Sequence, residues 1–142
     1  MNKKVFMIVV LFGSIVFAEN AQTQHEEKAS CVQVITADQL PDILKNVDKP
    51  VLVKIAATWC PPCQKIKPWY EMVAQQYQDN VIFVEMDFDS NKAWRIERNI
   101  YAVPYFILYV KNAEVAKSEG CPLEQAEFEL FLKDGLEFAL TL

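Results

Sequence analysis

The chain has 142 residues, of which 52% are hydrophobic, 12% aromatic and 23% charged. This length holds at most one folded domain, and the hydrophobic content supports a packed core and excludes a disordered protein. The formal charge of −5 argues against nucleic acid and anionic membrane surfaces as binding partners, because both favour a basic surface.

The first 18 residues have the pattern of a secretory signal peptide. Lys3 and Lys4 precede an apolar stretch at residues 5–17, and Ala18 closes a small-residue cleavage site. The alternative is an uncleaved membrane anchor, but the apolar stretch is shorter than the about 20 residues that a spanning helix needs. We therefore predict that residues 1–18 are cleaved and that the chain is periplasmic or otherwise secreted, where disulfides persist.

Residues 19–30 are polar and lack hydrophobic periodicity, so we predict a flexible N-terminal tail there. The tail contains His25, the only histidine of the chain. A single histidine lacks the further ligands of a metal site, and its side chain is expected to be solvated. The folded domain is then predicted at residues 31–142.

Hydrophobic patterning and turn signals predict elements in the order β-α-β-α-β-α-β-β-α. The first half alternates strands and helices, which indicates parallel βαβ units, and the end is an antiparallel hairpin covered by a helix. The predicted strands are residues 32–35, 51–57, 81–87, 105–110 and 114–118.

Local signals also predict where helices begin and end. Thr36 and Gln39 have the spacing of a capping box that would open the first helix. Asn99 follows the third helix at the left-handed position where Asn often replaces Gly. Gly135 is expected to interrupt the closing helix, predicted at residues 123–140, so that its last turn is separate.

Two cysteines separated by two residues, Cys60 and Cys63, lie where the apolar strand at residues 51–57 ends and a helix begins. The first N–H groups of a helix have no intrahelical partner, and the helix dipole favours negative charge there. Cys60 is therefore expected to ionise more readily than a free cysteine, which makes it a nucleophile. Pro61 and Pro62 suit the first helical turn, and the N–H of Cys63 remains free to point at the sulfur of Cys60.

The segment Trp-Cys-Pro-Pro-Cys at residues 59–63 resembles the Trp-Cys-Gly-Pro-Cys site of thioredoxins, with Pro61 in place of glycine. The resemblance extends over about residues 34–131. Pro68 matches the proline that kinks the active-site helix of the family, and Gly120 matches its glycine facing the active site. The resemblance implies the thioredoxin fold, an α/β fold with a central mixed β-sheet flanked by helices on both faces.

Two further features carry the resemblance. Val103 and Pro104 look like the cis-proline pair of the family and open the strand at residues 105–110. Residues 111–114 resemble the family's hairpin turn, with Ala113 where a hairpin would prefer glycine.

The resemblance implies a thiol–disulfide oxidoreductase whose redox group is the Cys60–Cys63 disulfide, with no metal and no other cofactor. Cys60 would be the exposed attacking thiol, and Cys63, more buried, would resolve the mixed disulfide. Trp59 and Pro104 would frame the groove, and the backbone beside Pro104 would pair with an extended substrate. Core packing is the alternative role for Trp59.

Two charged residues depart from the family pattern. Lys54 lies where thioredoxins carry a buried aspartate, and Glu85 lies where they carry its partner lysine. Both charges could be solvated, with their stems packed on apolar surface. The favoured interpretation is an ion pair beneath the active site with reversed polarity, in which Glu85, and not Lys54, is able to accept a proton from Cys63.

Cys31 and Cys121 raise the question of a second disulfide. In the family fold they lie at opposite ends of the sheet, whereas a bridge needs Cα atoms within about 7 Å, so no bond is predicted. Cys121 is expected near the active-site surface, either as a small buried hydrophobe or as a redox thiol. One CxxC with two distant cysteines lacks the paired spacing of a zinc site.

The predicted function is that of an exported protein-disulfide reductase. Its expected partners are exported proteins that contain disulfides and a membrane electron donor, with no nucleic acid, and a monomer is expected. One alternative is a disulfide oxidase or isomerase, and another is a thioredoxin-fold binding module without turnover. The intact cysteine pair with Pro104 argues against the binding module, and the absence of a positive charge or additional N–H at Pro61 and Pro62 favours the reductase.

Overall fold

The structure is a computed structural model that describes residues 29–142. The predicted signal peptide at residues 1–18, and His25 in the predicted tail, lie outside the described residues. The described part of the chain forms five strands and four helices in the predicted order, and none of these helices has the length and apolar composition of a transmembrane segment. They are β1 (Val32–Ile35), α1 (Leu40–Asn46), β2 (Val51–Ala56), α2 (Pro61–Tyr77), β3 (Ile82–Asp87), α3 (Lys92–Glu97), β4 (Tyr105–Val110), β5 (Ala113–Glu119) and α4 (Gln125–Leu140).

The strands form one mixed sheet in the order β1-β3-β2-β4-β5. Strands β1, β3 and β2 are parallel, whereas β4 is antiparallel to β2 and β5 is antiparallel to β4. All residues of β2 and β4 are buried, because helices cover both faces of the sheet. Tyr70 of α2 and Phe128 of α4 pack on one face, and Ile43 of α1 and Trp94 of α3 pack on the other. This arrangement confirms the predicted α/β thioredoxin fold.

The order of the strands brings three loops together at one edge of the sheet. The carboxyl ends of the parallel strands β2 and β3 lie side by side, and the antiparallel strand β4 begins at the same edge. The loop before α2, the loop after β3 and the Val103–Pro104 segment therefore meet there. This edge carries the candidate site.

The first helix begins later than predicted. Thr36 does not cap it, because α1 starts at Leu40 and its N-cap, Gln39, makes no side-chain capping bond. Half of the predicted capping box still forms in the preceding turn, where the N–H of Thr36 donates to Oε1 of Gln39 at 2.9 Å. Pro41 explains why the helix does not begin at Thr36. Proline has no N–H to donate to a preceding helical turn, so it fits only in the first turn of a helix.

The closing helix was predicted to break at Gly135, and this prediction was wrong. Helix α4 runs without interruption from Gln125 to Leu140. Phe128 and Leu136 on either side of the glycine are fully buried against the sheet. Their burial offsets the about 1 kcal/mol that a glycine costs inside a helix.

The hairpin between β4 and β5 differs from the expected one. The residues with a positive φ in the turn are Lys111 and Asn112, with φ of 48° and 66°. Ala113 is already the first residue of β5 and is paired with Val110. Two successive residues with positive φ form the type of tight turn that matches the twist of the strands. Asn99, with φ of 57°, has the predicted left-handed conformation.

Candidate active site

The two cysteines of the CxxC motif lie at the start of α2. Cys60 is the N-cap of the helix, and Pro61 and Pro62 occupy its first turn. Cys60 and Cys63 form a disulfide, and the N–H of Cys63 points at Sγ of Cys60 with a distance of 3.2 Å. Since neither proline has an N–H, Cys63 supplies the first backbone donor of the helix, as the sequence predicts.

The predicted difference in exposure between the two cysteines is absent from this disulfide form. Cys60 is 3% exposed and Cys63 is 4% exposed, so the expectation of an exposed Cys60 was wrong. The neighbouring loop covers Cys60, whose Sγ lies 3.7 Å from the carbonyl oxygen of Val103. The two cysteines differ instead in their surroundings. Sγ of Cys60 faces the carbonyl of Val103, whereas Cys63 lines a cleft together with charged residues.

Trp59 lies on the surface beside the disulfide. Its side chain is 59% exposed, so core packing does not explain it. Its indole N–H donates to Oδ2 of Asp89 at 2.7 Å, and its ring meets Phe88 edge-on at 5.9 Å between centroids. Asp89 was not among the predicted site residues. Its position could have been inferred from the parallel pairing of β2 and β3, which brings together the residues just beyond both strands.

The segment before β4 closes the other side of the site. The peptide bond between Val103 and Pro104 is cis, and the carbonyl of Pro104 accepts a hydrogen bond of 2.8 Å from the N–H of Gly120. Gly120 has φ of 74°, a conformation that residues with a side chain rarely adopt. The chain beyond β5 therefore holds Pro104 in place next to Cys60.

Lys54 and Glu85 form the ion pair that the sequence analysis favoured. They are paired residues of β2 and β3, and Nζ of Lys54 lies 2.6 Å from Oε2 of Glu85. The side chain of Lys54 is 1% exposed and that of Glu85 is 26% exposed, so solvation of Lys54 is ruled out. Burial lowers the pKa of Lys54, and the Glu85 carboxylate opposes that effect. The ammonium also lies 4.3 Å from the ring centroid of Tyr70, a favourable cation–π contact.

This ion pair and the second cysteine border the same open cleft, with a volume of about 250 Å³. The cleft lies behind the disulfide, between the start of α2 and the ends of β2 and β3. Its charged and sulfur-bearing lining residues are Lys54, Cys63, Lys67, Glu85 and Asp87. Cys63 is therefore the cysteine of the pair that borders this cleft.

Cys31 and Cys121 are free, as predicted. The thiol of Cys31 lies 3.2 Å from Oε1 of Gln78. Cys121 packs in the apolar layer between the sheet and helices α2 and α4, and burial raises the pKa of its thiol to about 11. A thiol of this kind is almost fully protonated near neutral pH, which favours the interpretation of Cys121 as a small buried hydrophobe.

The described residues contain no group of three or more His, Cys, Asp or Glu side chains placed to hold a metal ion. The chemical group of the site is the sulfur pair itself. The disulfide lies at a helix N-terminus, and the sulfur of Cys60 faces the backbone at Val103. Such a disulfide is able to accept two electrons and to pass them on by thiol–disulfide exchange.

Comparisons with known proteins agree with this geometry. The family model described as Thioredoxin matches residues 31–134. Thioredoxin X, chloroplastic, of Arabidopsis thaliana is 38% identical over 90 residues, which are 62% of this chain and 48% of that protein. Thioredoxin of Oryctolagus cuniculus is 35% identical over 96 residues, which are 67% of this chain and 90% of that protein. The match thus spans about half of the first relative and most of the second.

Solved structures show the same likeness. A mutant thioredoxin from Halobacterium salinarum has a TM-score of 0.67 and 28% identity, covering 80% of this chain and 96% of that one. Thioredoxin f from spinach chloroplast has a TM-score of 0.65 and 32% identity, covering 76% and 85%. Together with the disulfide at the start of α2, the match to the family model leads to one conclusion. The chain belongs to the thioredoxin family of thiol–disulfide oxidoreductases, with Cys60 and Cys63 as its redox-active pair.

Proposed function

We propose that the chain is an exported reductase of protein disulfides that acts through the Cys60–Cys63 dithiol. The observation that carries the proposal is the contact of one backbone donor, the N–H of Cys63, with Sγ of Cys60 at 3.2 Å. One N–H and the helix dipole stabilise a thiolate on Cys60 moderately, while Pro61 and Pro62 contribute no donor and no positive charge. Strong oxidants of this family owe their power to a strongly stabilised thiolate, so a moderate one suits a reductase.

The proposed reaction has two exchange steps. The thiolate of Cys60 attacks one sulfur of the substrate disulfide, forms a mixed disulfide and releases the other substrate sulfur, which takes up a proton. Cys63 then loses its proton and attacks Sγ of Cys60, so that the Cys60–Cys63 bond forms and the bond to the substrate breaks. The second substrate sulfur leaves with the electron pair and takes up a proton, and two electrons have passed to the substrate.

An extended segment of the substrate would lie across the mouth of the site. Trp59 and Tyr101 are large aromatic residues, 59% and 63% exposed, in the two loops that flank the disulfide. Exposed aromatic rings are common anchors of protein partners. Between them, the backbone at Val103 and Pro104 runs past Cys60, where an extended chain would find hydrogen-bond partners.

Export, substrates and electron supply complete the proposal. The pattern at residues 1–18 supports export and cleavage of a signal peptide, and an exported reductase meets disulfide-containing exported proteins. The disulfide form must be reduced again after each turnover, for which we propose a membrane electron donor. The formal charge of −5 disfavours nucleic acid as a partner, and the protein is proposed to act as a monomer.

Reduction of insulin in the presence of dithiothreitol tests the activity. The purified chain is expected to accelerate insulin precipitation, and the variant Cys60→Ser is expected to show only the uncatalysed rate. The same chain is also tested for oxidation of a reduced, unfolded protein in a glutathione buffer. If this oxidation is faster than the reduction of insulin, the oxidase is favoured instead. Cell fractionation of the full chain beside a chain lacking residues 1–18 tests export, and equal distribution of the two would contradict it.

A further inference from the structure

Lys54 is the one charged side chain that is buried among the described residues. A cation inside a sheet is costly, because removing it from water disfavours the charged form. Its contact with Glu85 explains how the fold tolerates the charge, but not what the charge does. The position of Lys54, behind the redox disulfide, suggests an effect on the sulfur atoms.

The charges of the pair do not cancel at the disulfide. The Glu85 side chain is 26% exposed and that of Lys54 is 1% exposed, so water screens the carboxylate more strongly than the ammonium. The remaining charged groups of the cleft are Lys67 of α2, which is exposed, and Asp87 of β3, which is partly exposed. The carboxylate of Glu71 on α2 also acts on the Lys54 ammonium, but Glu71 does not line the cleft. Among the charged residues that line the cleft, Lys54 is therefore the one that water screens least.

The sulfur that receives this field is that of Cys63. Cys63 lines the cleft together with Lys54, whereas Sγ of Cys60 faces the carbonyl of Val103 on the opposite side. The field also acts through the neighbouring apolar layer, since the charge of Lys54 lowers the pKa of Cys121 in opposition to burial.

We propose that the Lys54 ammonium stabilises the thiolate of Cys63. The Cys60–Cys63 disulfide is thereby easier to reduce than it would be with an uncharged residue at position 54. Lys54 is thus a positioning residue that sets the reduction potential of the pair. This inference rests on the role of that pair in the proposed reductase. It concerns the reduction potential of the pair, and not whether the protein reduces or oxidises its substrates in the cell.

The electrons and protons balance in a simple way. Reduction adds two electrons, breaks the bond between Cys60 and Cys63, and takes up one proton for each sulfur that is not held as a thiolate. A cation beside Cys63 favours its thiolate, so the reduced state is lowered in free energy relative to the uncharged disulfide. During resolution the proton of Cys63 passes to water in the cleft, which the carboxylates of Glu85 and Asp87 also line.

Equilibration of the purified chain with reduced and oxidised glutathione measures this effect without a protein substrate. The test variant is Lys54→Met with Glu85→Gln, which removes both charges and leaves no buried orphan. At a pH of about 9, where an ordinary thiol is largely ionised, its equilibrium constant for reduction is expected to fall by roughly tenfold, which corresponds to a potential about 30 mV lower. The single variant Lys54→Met is expected to shift further in the same direction, because it leaves the Glu85 carboxylate.

An exposed ion pair of β5 provides the matched control. Nζ of Lys117 lies 3.4 Å from Oε1 of Glu114, and replacing this exposed pair by Met and Gln removes the same charges from the surface of the sheet edge, outside the cleft. This control is expected to keep the equilibrium constant of the unmodified chain. A double variant of Lys54 and Glu85 that also keeps it would overturn the proposal, because the two fields would then cancel at the disulfide.

The pH dependence separates an electrostatic role from a structural one. The difference between the unmodified chain and the Lys54→Met, Glu85→Gln variant should shrink as the pH falls below about 8.5, where a thiol such as that of Cys63 takes up its proton, and should be lost near about pH 6. A difference that is the same at all pH values would mean that Lys54 acts only through packing. Failure of the insulin assay would count against the proposed reductase, whereas this equilibrium would still be measurable.

Discussion

Nζ of Lys54 and Oε2 of Glu85 meet at 2.6 Å across neighbouring parallel strands, with the ammonium inside the sheet and the carboxylate at the border of a water-accessible cleft. This asymmetry has two consequences. The interaction is of unequal importance to its two partners, because breaking it removes the nearest counter-charge from a buried ammonium, whereas the carboxylate of Glu85 is partly exposed to water. The pair also leaves the buried positive charge beside the cleft that Cys63 lines.

The first prediction concerns the stability of this pair. Glu85→Gln should lower the free energy of unfolding by about 3 kcal/mol, because a buried ammonium is left without its counter-charge. Lys54→Met should cost less, since water partly solvates the carboxylate that remains. The double variant should cost less than the sum of the two, and urea unfolding of all four proteins measures this. Additive losses would mean that the two side chains do not interact.

The second prediction concerns the division of labour between the cysteines. Cys60→Ser should abolish insulin reduction, whereas Cys63→Ser should accumulate mixed disulfides between Cys60 and the substrate, because nothing resolves them. Mass spectrometry of non-reduced samples detects the trapped species. The control replaces Cys31 and Cys121 together by Ser and should retain activity. Full activity in either single variant of the pair would refute the assignment.

The third prediction concerns the ionisation of Cys60. Within residues 29–142, Cys63 supplies the one N–H that contacts the sulfur of Cys60, so the rate of iodoacetamide reaction of the reduced protein should have its midpoint near pH ~7, as in thioredoxin. Pro62→Ala restores an N–H at the second helical position, where N-cap acceptors find donors, and should lower the midpoint. A midpoint below about 5 in the unmodified chain would reject the reductase proposal.

Pro61→Ala is the matched control for this measurement. It restores an N–H at the first helical position, which a capping side chain does not reach, so the midpoint should stay close to that of the unmodified chain. Equal shifts in both proline variants would point to a change in helix geometry and not to a new hydrogen bond. The comparison of Pro61 with Pro62 thus isolates one backbone donor.

The fourth prediction concerns Cys121 at alkaline pH. Burial raises the pKa of its thiol from 9.0 to about 11, so between these values the folded protein keeps a proton that the unfolded chain has lost. The stability that this group contributes is therefore complete below pH 9.0 and declines as the pH rises towards about 11. Because the thiol is only half-buried, the decline should amount to about 1 kcal/mol or less.

Urea unfolding between these two pH values, with the Cys60–Cys63 disulfide intact, measures the decline. Cys121→Ala should reduce the pH dependence, and Cys31→Ala, which removes the other free cysteine, should leave it unchanged. An identical pH dependence in the unmodified chain and in Cys121→Ala would show that the thiol titrates alike in the folded and unfolded states.

The sequence by itself determined the order of the elements, the position of the CxxC motif at a strand–helix junction and the donor pattern around Cys60. These features depend on neighbours along the chain. Hydrophobic periodicity separates helix from strand, and proline removes an N–H wherever it stands. The left-handed Asn99 was predictable for the same reason, since its conformation follows from the end of one helix.

Only the tertiary structure decided the burial of Cys60, the contact of Trp59 with Asp89 and the continuity of the helix through Gly135. In each case contacts between residues far apart in the chain decide the outcome, and the local sequence does not contain them. The resemblance to thioredoxins suggested that Lys54 and Glu85 are paired, but not that one is buried and the other partly exposed. That difference depends on which atoms of distant elements pack over each charge, and burial and screening are properties of the assembled fold.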